Sequence, residues 1–391
     1  MNLQDKRKKL AALLAGDRCV IAGSVFDPLS ARIADEVGFE VGLLGGSVAS
    51  FAVLGAPDLM LLTLTELAEQ TRRICRASQL PVLVDADHGF GNALNVMRTV
   101  EELASAGAAG LSIEDTLLPR TFGSPKEPSL TSVEEGVGRM RAAVTAARES
   151  GIAICGRTAA VAITHIDDAV RRLQAYEQAG VNALFVPYLK TRAQLDRIAD
   201  SVGLPLILGS PGAELMDLEY LASRRVRVCL RGHQGFAASV QALYDTARAV
   251  LAGTAPGELQ NIASEKLMQR LTNAPEHEHW SEQFLNPYTA GQELKLVNDA
   301  VARRYRLMLN EEEVGYSEYD PVAPASILIK HTEVLRQHEG KGFGSHLVSA
   351  MLDDIRGQGK TVIPICPYAM NYIRKHREYL DIVRADLRAT L

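Results

Sequence analysis

The sequence predicts a (β/α)8 TIM barrel followed by a small α+β domain. Short apolar runs alternate with amphipathic helical segments eight times over about 230 residues, the repeat expected of a closed parallel sheet wrapped in helices. Six of the eight runs end in polar or charged residues, and the C-terminal ends of the strands are where a barrel keeps its chemistry. Beyond residue 286 the alternation stops, and paired strand patterns with polar turns replace it. An open doubly wound sheet is the competing arrangement, but it usually has fewer strands, and no Gly-x-Gly-x-x-Gly follows the first run.

Residues 3–15 read as a helix. The strand runs are Cys19–Phe26, Val41–Val48, Leu80–Asp85, Ala109–Glu114, Ala153–Arg157, Ala183–Pro187, Pro205–Gly209 and Val226–Gly232. Helical segments separate them, among them Thr65–Ser78, Ala93–Ala106, Val133–Ser150, Ile166–Ala179 and Arg192–Ser201. Gln234–Leu251 reads as the last barrel helix, broken at Ala255–Gly257, so the barrel takes residues 1–257. Residues 258–286 form a helical tail around Trp280, expected to pack on the barrel or to be exchanged with a neighbouring subunit. Residues 287–391, joined near Asn286–Pro287, form the second domain. Its strands are expected at Leu294–Asp299, Arg304–Leu309, Val314–Tyr319, Ser326–Val334 and Thr361–Cys366, with helices at His346–Gln358 and Ala369–His376.

Composition narrows the class. An apolar share of 47% and a charged share of 23% describe an ordinary soluble globular protein. The net charge is −5 and the only basic run is Lys6–Lys9, which argues against a nucleic-acid partner. No apolar stretch reaches membrane-spanning length, and no cleavable leader is read at the start. The five cysteines are scattered singly, which suggests neither a zinc site nor a disulfide framework and fits a reducing cytoplasm.

The strand ends hold the candidate chemistry. Leu80–Asn92 begins as a doubly buried strand and ends in Asp85, Asp87 and His88 before breaking at Gly89 and Gly91. Two carboxylates two residues apart on a strand point to one side, and burying them calls for a hard cation. Mg²⁺ keeps several waters, so Asp85 is expected as the direct ligand, with Asp87 and Glu114 acting through waters; Mn²⁺ is the alternative ion. Gly45, Gly46 and Ser47 read as a turn that presents N–H groups and a hydroxyl. Arg157 offers a planar fork for a carboxylate or an enolate oxygen, and His233 a donor or proton shuttle for a second carboxylate. Ser24 and Asp115, taken singly, are better explained as caps. Metal, oxyanion donors and carboxylate binders together imply a small α-keto acid substrate. No lysine stands at a strand end to form a Schiff base; Lys190 reads as solvated.

Ser24-Val-Phe-Asp-Pro28, Gly45–Ser50, Asp85–Gly91, Ile113–Thr116 and Gly156–Thr158 resemble the isocitrate lyase/phosphoenolpyruvate mutase superfamily over residues 1 to about 285. Asn92–Thr99, Glu134–Gly138 and Arg231–His233 resemble its bacterial oxaloacetate decarboxylase branch. The resemblance implies Mg²⁺-dependent conversion of oxaloacetate to pyruvate and CO₂ in a homotetramer with exchanged C-terminal helices. It implies substrate contacts at Ser47, Arg157 and His233, and the metal at Asp85; the Gly46 amide is read beside Ser47 as a further donor to the keto acid's oxygens. Lyase and mutase branches carry a Lys-x-Cys-Gly loop after the fourth strand. Here Leu118–Ser124 stands in that place without a cysteine, which argues against the alternatives of a 2-methylisocitrate-type lyase or a phosphonopyruvate enzyme. The decarboxylase branch has a tyrosine after the seventh strand; Ser210-Pro211-Gly212 takes its place, which leaves substrate preference open.

Glu339-Gly-Lys-Gly-Phe-Gly-Ser345, preceded by His331–Val334 and followed by Ile363–Tyr368, resembles the small members of the GNAT acetyltransferase fold over about residues 295–385. The resemblance implies an acetyl-CoA site at Glu339, Gly340, Gly342, Gly344 and Ser345, where helix-start amides grip the pyrophosphate. Cys366 is either an acyl acceptor or an inert core thiol. The alternative function is accordingly that of an acyltransferase or a CoA-binding regulator.

Overall fold

A computed structural model describes the chain except Met1, Ser124, Pro125, residues 286–293, Pro324 and Leu391, and describes Glu282, Ala323, Ala389 and Thr390 by backbone alone. The expected junction near Asn286–Pro287 lies outside the described residues. The chain divides into two compact units, Met1–Thr272 and Asn273–Leu391, so the division falls inside the helical tail.

In the first unit, eight parallel strand positions run in sequential order: β1 (Val20–Ile21 and Gly23–Ser24), β2 (Gly42–Leu44), β3 (Val82–Asp85), β4 (Gly110–Glu114), β5 (Ala153–Arg157), β6 (Ala183–Pro187), β7 (Leu206–Gly209) and β8 (Val226–Leu230). β1 closes the ring by breaking at Ala22. Its first half pairs with β8 through Val20↔Val228, and its second half pairs with β2 through Gly23↔Gly42. The helices are α1 (Leu3–Ala15), α2 (Pro28–Val37), α3 (Gly46–Leu54), α4 (Leu64–Ala77), α5 (Ala93–Ala106), α6 (Val133–Ala147), α7 (Ala160–Ile163), α8 (Ile166–Gln178), α9 (Arg192–Ala199), α10 (Leu218–Ser223), α11 (Gln234–Leu251) and α12 (Glu265–Thr272). Several start where the sequence supplies a cap. Asp27 and Ser30 form a capping box ahead of Pro28, and Thr63 with Glu66 does the same for α4.

Alternate residues of the strands split the core into two layers. Val41, Leu43, Leu83, Cys155, Phe185, Ile207, Val228 and Leu230 fill the barrel interior, and Leu10 and Leu14 of α1 join them. Leu44, Val82, Val84, Leu111, Ile113 and Ile154 face outward against the helices. Half of the basic run is structural rather than solvated. Lys6 Nζ donates to the carbonyls of Cys75 and Ser78 at 2.7 and 2.6 Å, and Arg7 donates to those of Ala104, Ala108 and Ser150. These cations complete the C-terminal ends of α4 and α5, where unpaired carbonyls collect.

The apolar run Val41–Val48 is a strand only over Gly42–Leu44, and Gly46 and Ser47 already belong to α3. The sequence reading placed a turn here because Gly-Ser-Val-Ala-Ser-Phe-Ala-Val-Leu has no polar face to mark a helix. Asp115 is a tie rather than a cap. It is fully buried and accepts from Tyr176 Oη at 2.6 Å and Arg172 Nη1 at 3.1 Å. Arg172 also donates to Asp168 and to the Thr131 carbonyl, so one guanidinium locks α8 to the loop after β4.

The second unit opens with α13 (Ala274–Leu285), followed by a five-stranded sheet in sequential order: β9 (Leu294–Asp299), β10 (Arg304–Leu309), β11 (Glu312–Ala323), β12 (Ser326–Val334) and β13 (Thr361–Pro364). The pairs are antiparallel except β12 with β13. The helices α14 (Phe343–Gly357) and α15 (Pro367–Lys375) bury Phe343, Leu347, Met351, Leu352 and Ile373 with Tyr305, Leu307 and Ile329 of the sheet. α14 starts at Phe343, three residues before the helix expected at His346.

Removing one partner of a buried ion pair leaves the other charged and unpaired. Arg172→Leu is therefore expected to cost about 3–5 kcal/mol in unfolding free energy, read by urea denaturation of the full chain.

Candidate active site

The strand ends converge on one cavity of about 160 Å³ at the C-terminal mouth of the barrel. Gly46, Ser47, Asp85, Arg157 and His233 all line it. Asp87 and Glu114 do not line it and stand behind its wall. The cavity is small and mostly polar, built from six different strand ends.

Arg157 at the end of β5 is the centre of this wall. Its Nη1 pairs with Asp85 Oδ2, and its Nε lies 3.0 Å from Glu114 Oε2 as a charge contact off the N–H axis. Ser112 Oγ donates to the other Asp85 oxygen at 3.1 Å. The guanidinium carbon sits 5.3 Å from the Phe185 ring centre, a cation–π contact that fixes its plane. Burial alone would weaken the guanidinium as a base; Asp85 and Glu114 outweigh it and hold Arg157 charged. Asp87 is pushed well above the usual carboxylate range by burial, with Asp85, Glu114 and Asp58 adding like charge. Burial also raises Glu114, against the pull of Arg157.

Two glycines bring the backbone against these side chains. A Cβ on Gly46 would lie 2.9 Å from Asp87 Oδ1, and one on Gly45 would lie 2.7 Å from His233 Nε2. Only a residue without a side chain lets α3 begin this close to the acids. His233 is fixed from its other edge, where Nδ1 is 2.6 Å from Ser24 Oγ. Burial lowers its pKa, with Asp85 opposing, so the ring is held neutral.

Sequence reasoning missed two residues of this wall and one behind it. Ser24 is a partner of His233 rather than a cap. Asp58 lies on the loop after α3 and lines the cavity although the residue is exposed overall; desolvation and the neighbouring Asp85 raise its carboxyl. Tyr188, just past β6, lines the cavity in left-handed backbone at φ +65°. At the seventh strand Ser210, also left-handed at φ +49°, faces the cavity and Pro211 does not. A left-handed tyrosine is uncommon, and nothing in the local sequence announces it.

Among the described residues no three His, Cys, Asp or Glu side chains close into an ion cage. The charge balance nonetheless fits a hard divalent cation. Four carboxyl groups (Asp58, Asp85, Asp87 and Glu114) gather around a single guanidinium, and burial disfavours their ionised forms unless a further positive charge is supplied. An oxygen set with two lining carboxylates, Asp58 and Asp85, suits an ion that keeps its waters.

Residues 10–251 match the family described as phosphoenolpyruvate phosphomutase. The chain belongs to the phosphoenolpyruvate mutase/isocitrate lyase superfamily. It is an enzyme of that superfamily, and the barrel is its fold. An oxaloacetate decarboxylase of Rhodopseudomonas palustris (strain BisB18) is 56% identical over 274 residues, covering 70% of this chain and 95% of that protein. A phosphonopyruvate hydrolase in complex with oxalate and Mg²⁺ superimposes with a TM-score of 0.65 at 28% identity, over 72% of this chain and 99% of that one. An oxaloacetate acetylhydrolase bound to 3,3-difluorooxalacetate does so with a TM-score of 0.64 at 25% identity, over 71% and 96%. Residues 304–382 match the GCN5-related N-acetyltransferase family, so the superfamily barrel is joined to an acetyltransferase-like domain.

That second domain has its own hollow of about 460 Å³, lined by Glu339, Gly340, Gly342 and Gly344 at the start of α14, with Thr332, Glu333, His338 and Tyr368. Ser345 lies beside it, its Oγ 3.3 Å from Tyr368 Oη. Cys366 does not line the hollow. It is 2% exposed and packs in the hydrophobic core.

In the barrel, Gly45→Ala places a methyl 2.7 Å from His233 Nε2 and 2.8 Å from Cε1, too close for the ring to stay where it is. The expected outcome is a fold retained by circular dichroism, with kcat/KM reduced at least tenfold because the imidazole is displaced.

Proposed function

We propose that this chain decarboxylates oxaloacetate to pyruvate and CO₂. The observation that carries the reading is a cavity of about 160 Å³ whose lining has a single fixed cation, Arg157, set against Asp85 and beside the Gly46–Ser47 helix start. The name shared by relatives such as the 56%-identical Rhodopseudomonas protein supports the same reaction.

Mg²⁺, or Mn²⁺ in its place, would be held by Asp85 directly and by Asp87 and Glu114 through waters, supplying Lewis-acid charge to the keto acid's oxygens. The chain's own groups do the rest. The Gly46 N–H and the Ser47 hydroxyl orient the carboxylate end at the N-terminus of α3, where helix N–H groups are unpaired. Arg157 stabilises negative charge as it develops on the enolate oxygen, in a site where Asp85 and Phe185 already orient it. His233, neutral, offers a hydrogen bond to the second carboxylate without an ion pair that would anchor it. Apart from Asp58, which offers no positive charge, the remaining lining residues, such as Phe185, Pro187, Tyr188, Gly209, Ser210 and Leu230, are uncharged, so no second fixed cation there anchors the departing carboxylate.

The loop after β4 supports this reading over a lyase acting on a larger acid, because its described part, Leu118–Gly123, holds no cysteine to act as acid or base. For assembly we take a homo-oligomer, since α11 buries none of its residues and exposes Leu243, Tyr244 and Leu251, an apolar face suited to a second copy. We take residues 1–257 as the catalytic barrel and 287–391 as a separate module, with the helical tail between them. A cytoplasmic setting is supported by five free cysteines, and no described helix is long and apolar enough to cross a membrane.

Asp85→Ala is expected to abolish metal-dependent pyruvate formation, measured by coupled assay with and without EDTA on a panel of oxaloacetate, phosphonopyruvate and 2-methylisocitrate. Full activity in the variant, or turnover of another panel member alone, overturns the assignment. For the second domain, the glycine-lined hollow at the α14 start supports acyl-CoA binding, with Cys366 as a core residue. Titration with acetyl-CoA should show saturable binding that Cys366→Ala leaves intact.

A further inference from the structure

We infer that Ser24 is a positioning residue that holds His233 in the tautomer carrying its hydrogen on Nε2, so that the imidazole meets the substrate anion as an N–H donor. The inference rests on the reading of the cavity as a keto-acid site. It adds a role for a residue outside the cavity lining, on the first strand of the barrel, for a histidine that follows the last.

The starting observation is the 2.6 Å contact between Ser24 Oγ and His233 Nδ1. A neutral imidazole has one N–H and one lone pair, so the contact has two forms. Either the serine donates its O–H to Nδ1 and the ring hydrogen sits on Nε2, or Nδ1–H donates to Oγ and Nε2 is a bare acceptor. Hydrogen accounting separates them. Ser24 Oγ has no other partner among the described residues, so in the second form its hydroxyl hydrogen has no acceptor. In the first form that hydrogen is used, and the remaining one, on Nε2, lies on the edge of a ring that lines the cavity, where water or a substrate oxygen accepts it, whereas Ser24 lies outside the lining. A partly buried donor left without an acceptor is the costlier arrangement.

Two further observations point the same way. His233 lines the cavity and its Nδ1 edge is taken by Ser24, so the Nε2 edge is the one left for a ligand. Gly45, also in the lining, leaves just enough room for that edge, since a Cβ there would lie 2.7 Å from Nε2 and 2.8 Å from Cε1. The ring is therefore clamped, with the serine behind Nδ1 and the glycine against Nε2. An anionic substrate meeting a bare Nε2 lone pair would be repelled, and one meeting Nε2–H is bound.

The test uses the full-length protein with Mg²⁺ and nitrogen-15-labelled histidine, with oxalate as the probe. The His233 signals are assigned by their loss in His233→Asn. The expected result is a protonated Nε2 and an unprotonated Nδ1, free and with oxalate bound. Ser24→Ala should weaken oxalate binding and raise KM for oxaloacetate by about tenfold, the worth of one hydrogen bond to a charged group, with kcat changed less. Ser24→Thr, which keeps the hydroxyl, should restore both. A protonated Nδ1 in the wild type overturns the inference, as does unchanged oxalate affinity in Ser24→Ala. If the wild type shows the expected tautomer and binds oxalate but makes no pyruvate, the decarboxylase reading fails while the role of Ser24 stands.

Discussion

The ion pair between Arg157 and Asp85, backed by Glu114, is the constraint around which the catalytic wall is arranged. A guanidinium and several carboxyl groups are brought out of water at the inner ends of adjacent strands, which costs several kcal/mol per ion unless the geometry satisfies them. Here it does so only in part. Ser112 and Phe185 steady the pair, Gly46 leaves space for Asp87, and the surplus of acid over base remains. That surplus is what a hard cation would relieve.

The barrel supplies the rigidity that this imbalance needs. Its interior is packed by strand residues and closed at the far end by α1, whose Leu10 and Leu14 plug the bore while Lys6 and Arg7 finish neighbouring helices. Behind the wall, Arg172 ties Asp115 and Asp168 together and prevents the loop after β4 from drifting. Stability and function are thus separated in sequence by a single step. Glu114 backs the Arg157–Asp85 pair from behind the cavity wall, and Asp115, its neighbour on the other face of the chain, locks the scaffold.

Much of this was legible in the sequence where a period or a boundary gave it away. The strand-end positions of Asp85, Arg157 and His233 follow from apolar runs that stop abruptly at polar groups. The acetyltransferase-like domain was legible from its glycine-rich helix start. The misses share a physical cause. α3 is apolar all round and shows no helical stripe, so the loop beyond it, and with it Asp58, had no frame of reference. Tyr188 reaches the cavity through a left-handed backbone that depends on its neighbours, and Ser24 matters only because the ring closes. Propensity and pattern describe local segments, whereas these three depend on where distant segments come to rest.

The split in β1 at Ala22 has a bearing on how the molecule comes into being. Its two halves grip different neighbours, the last strand on one side and the second on the other, so the ring is shut by a strand made at the start of synthesis and one made near the end. Ser24 and His233, 209 residues apart in the chain, meet at this seam. Contacts of such separation form late because the loop they close is long. While the chain is still emerging it has Asp85 and Arg157 but not the imidazole, so the residues of the acidic wall are made before the cavity lining is complete. The cavity of such a barrel is complete only when its first and last strands have found each other.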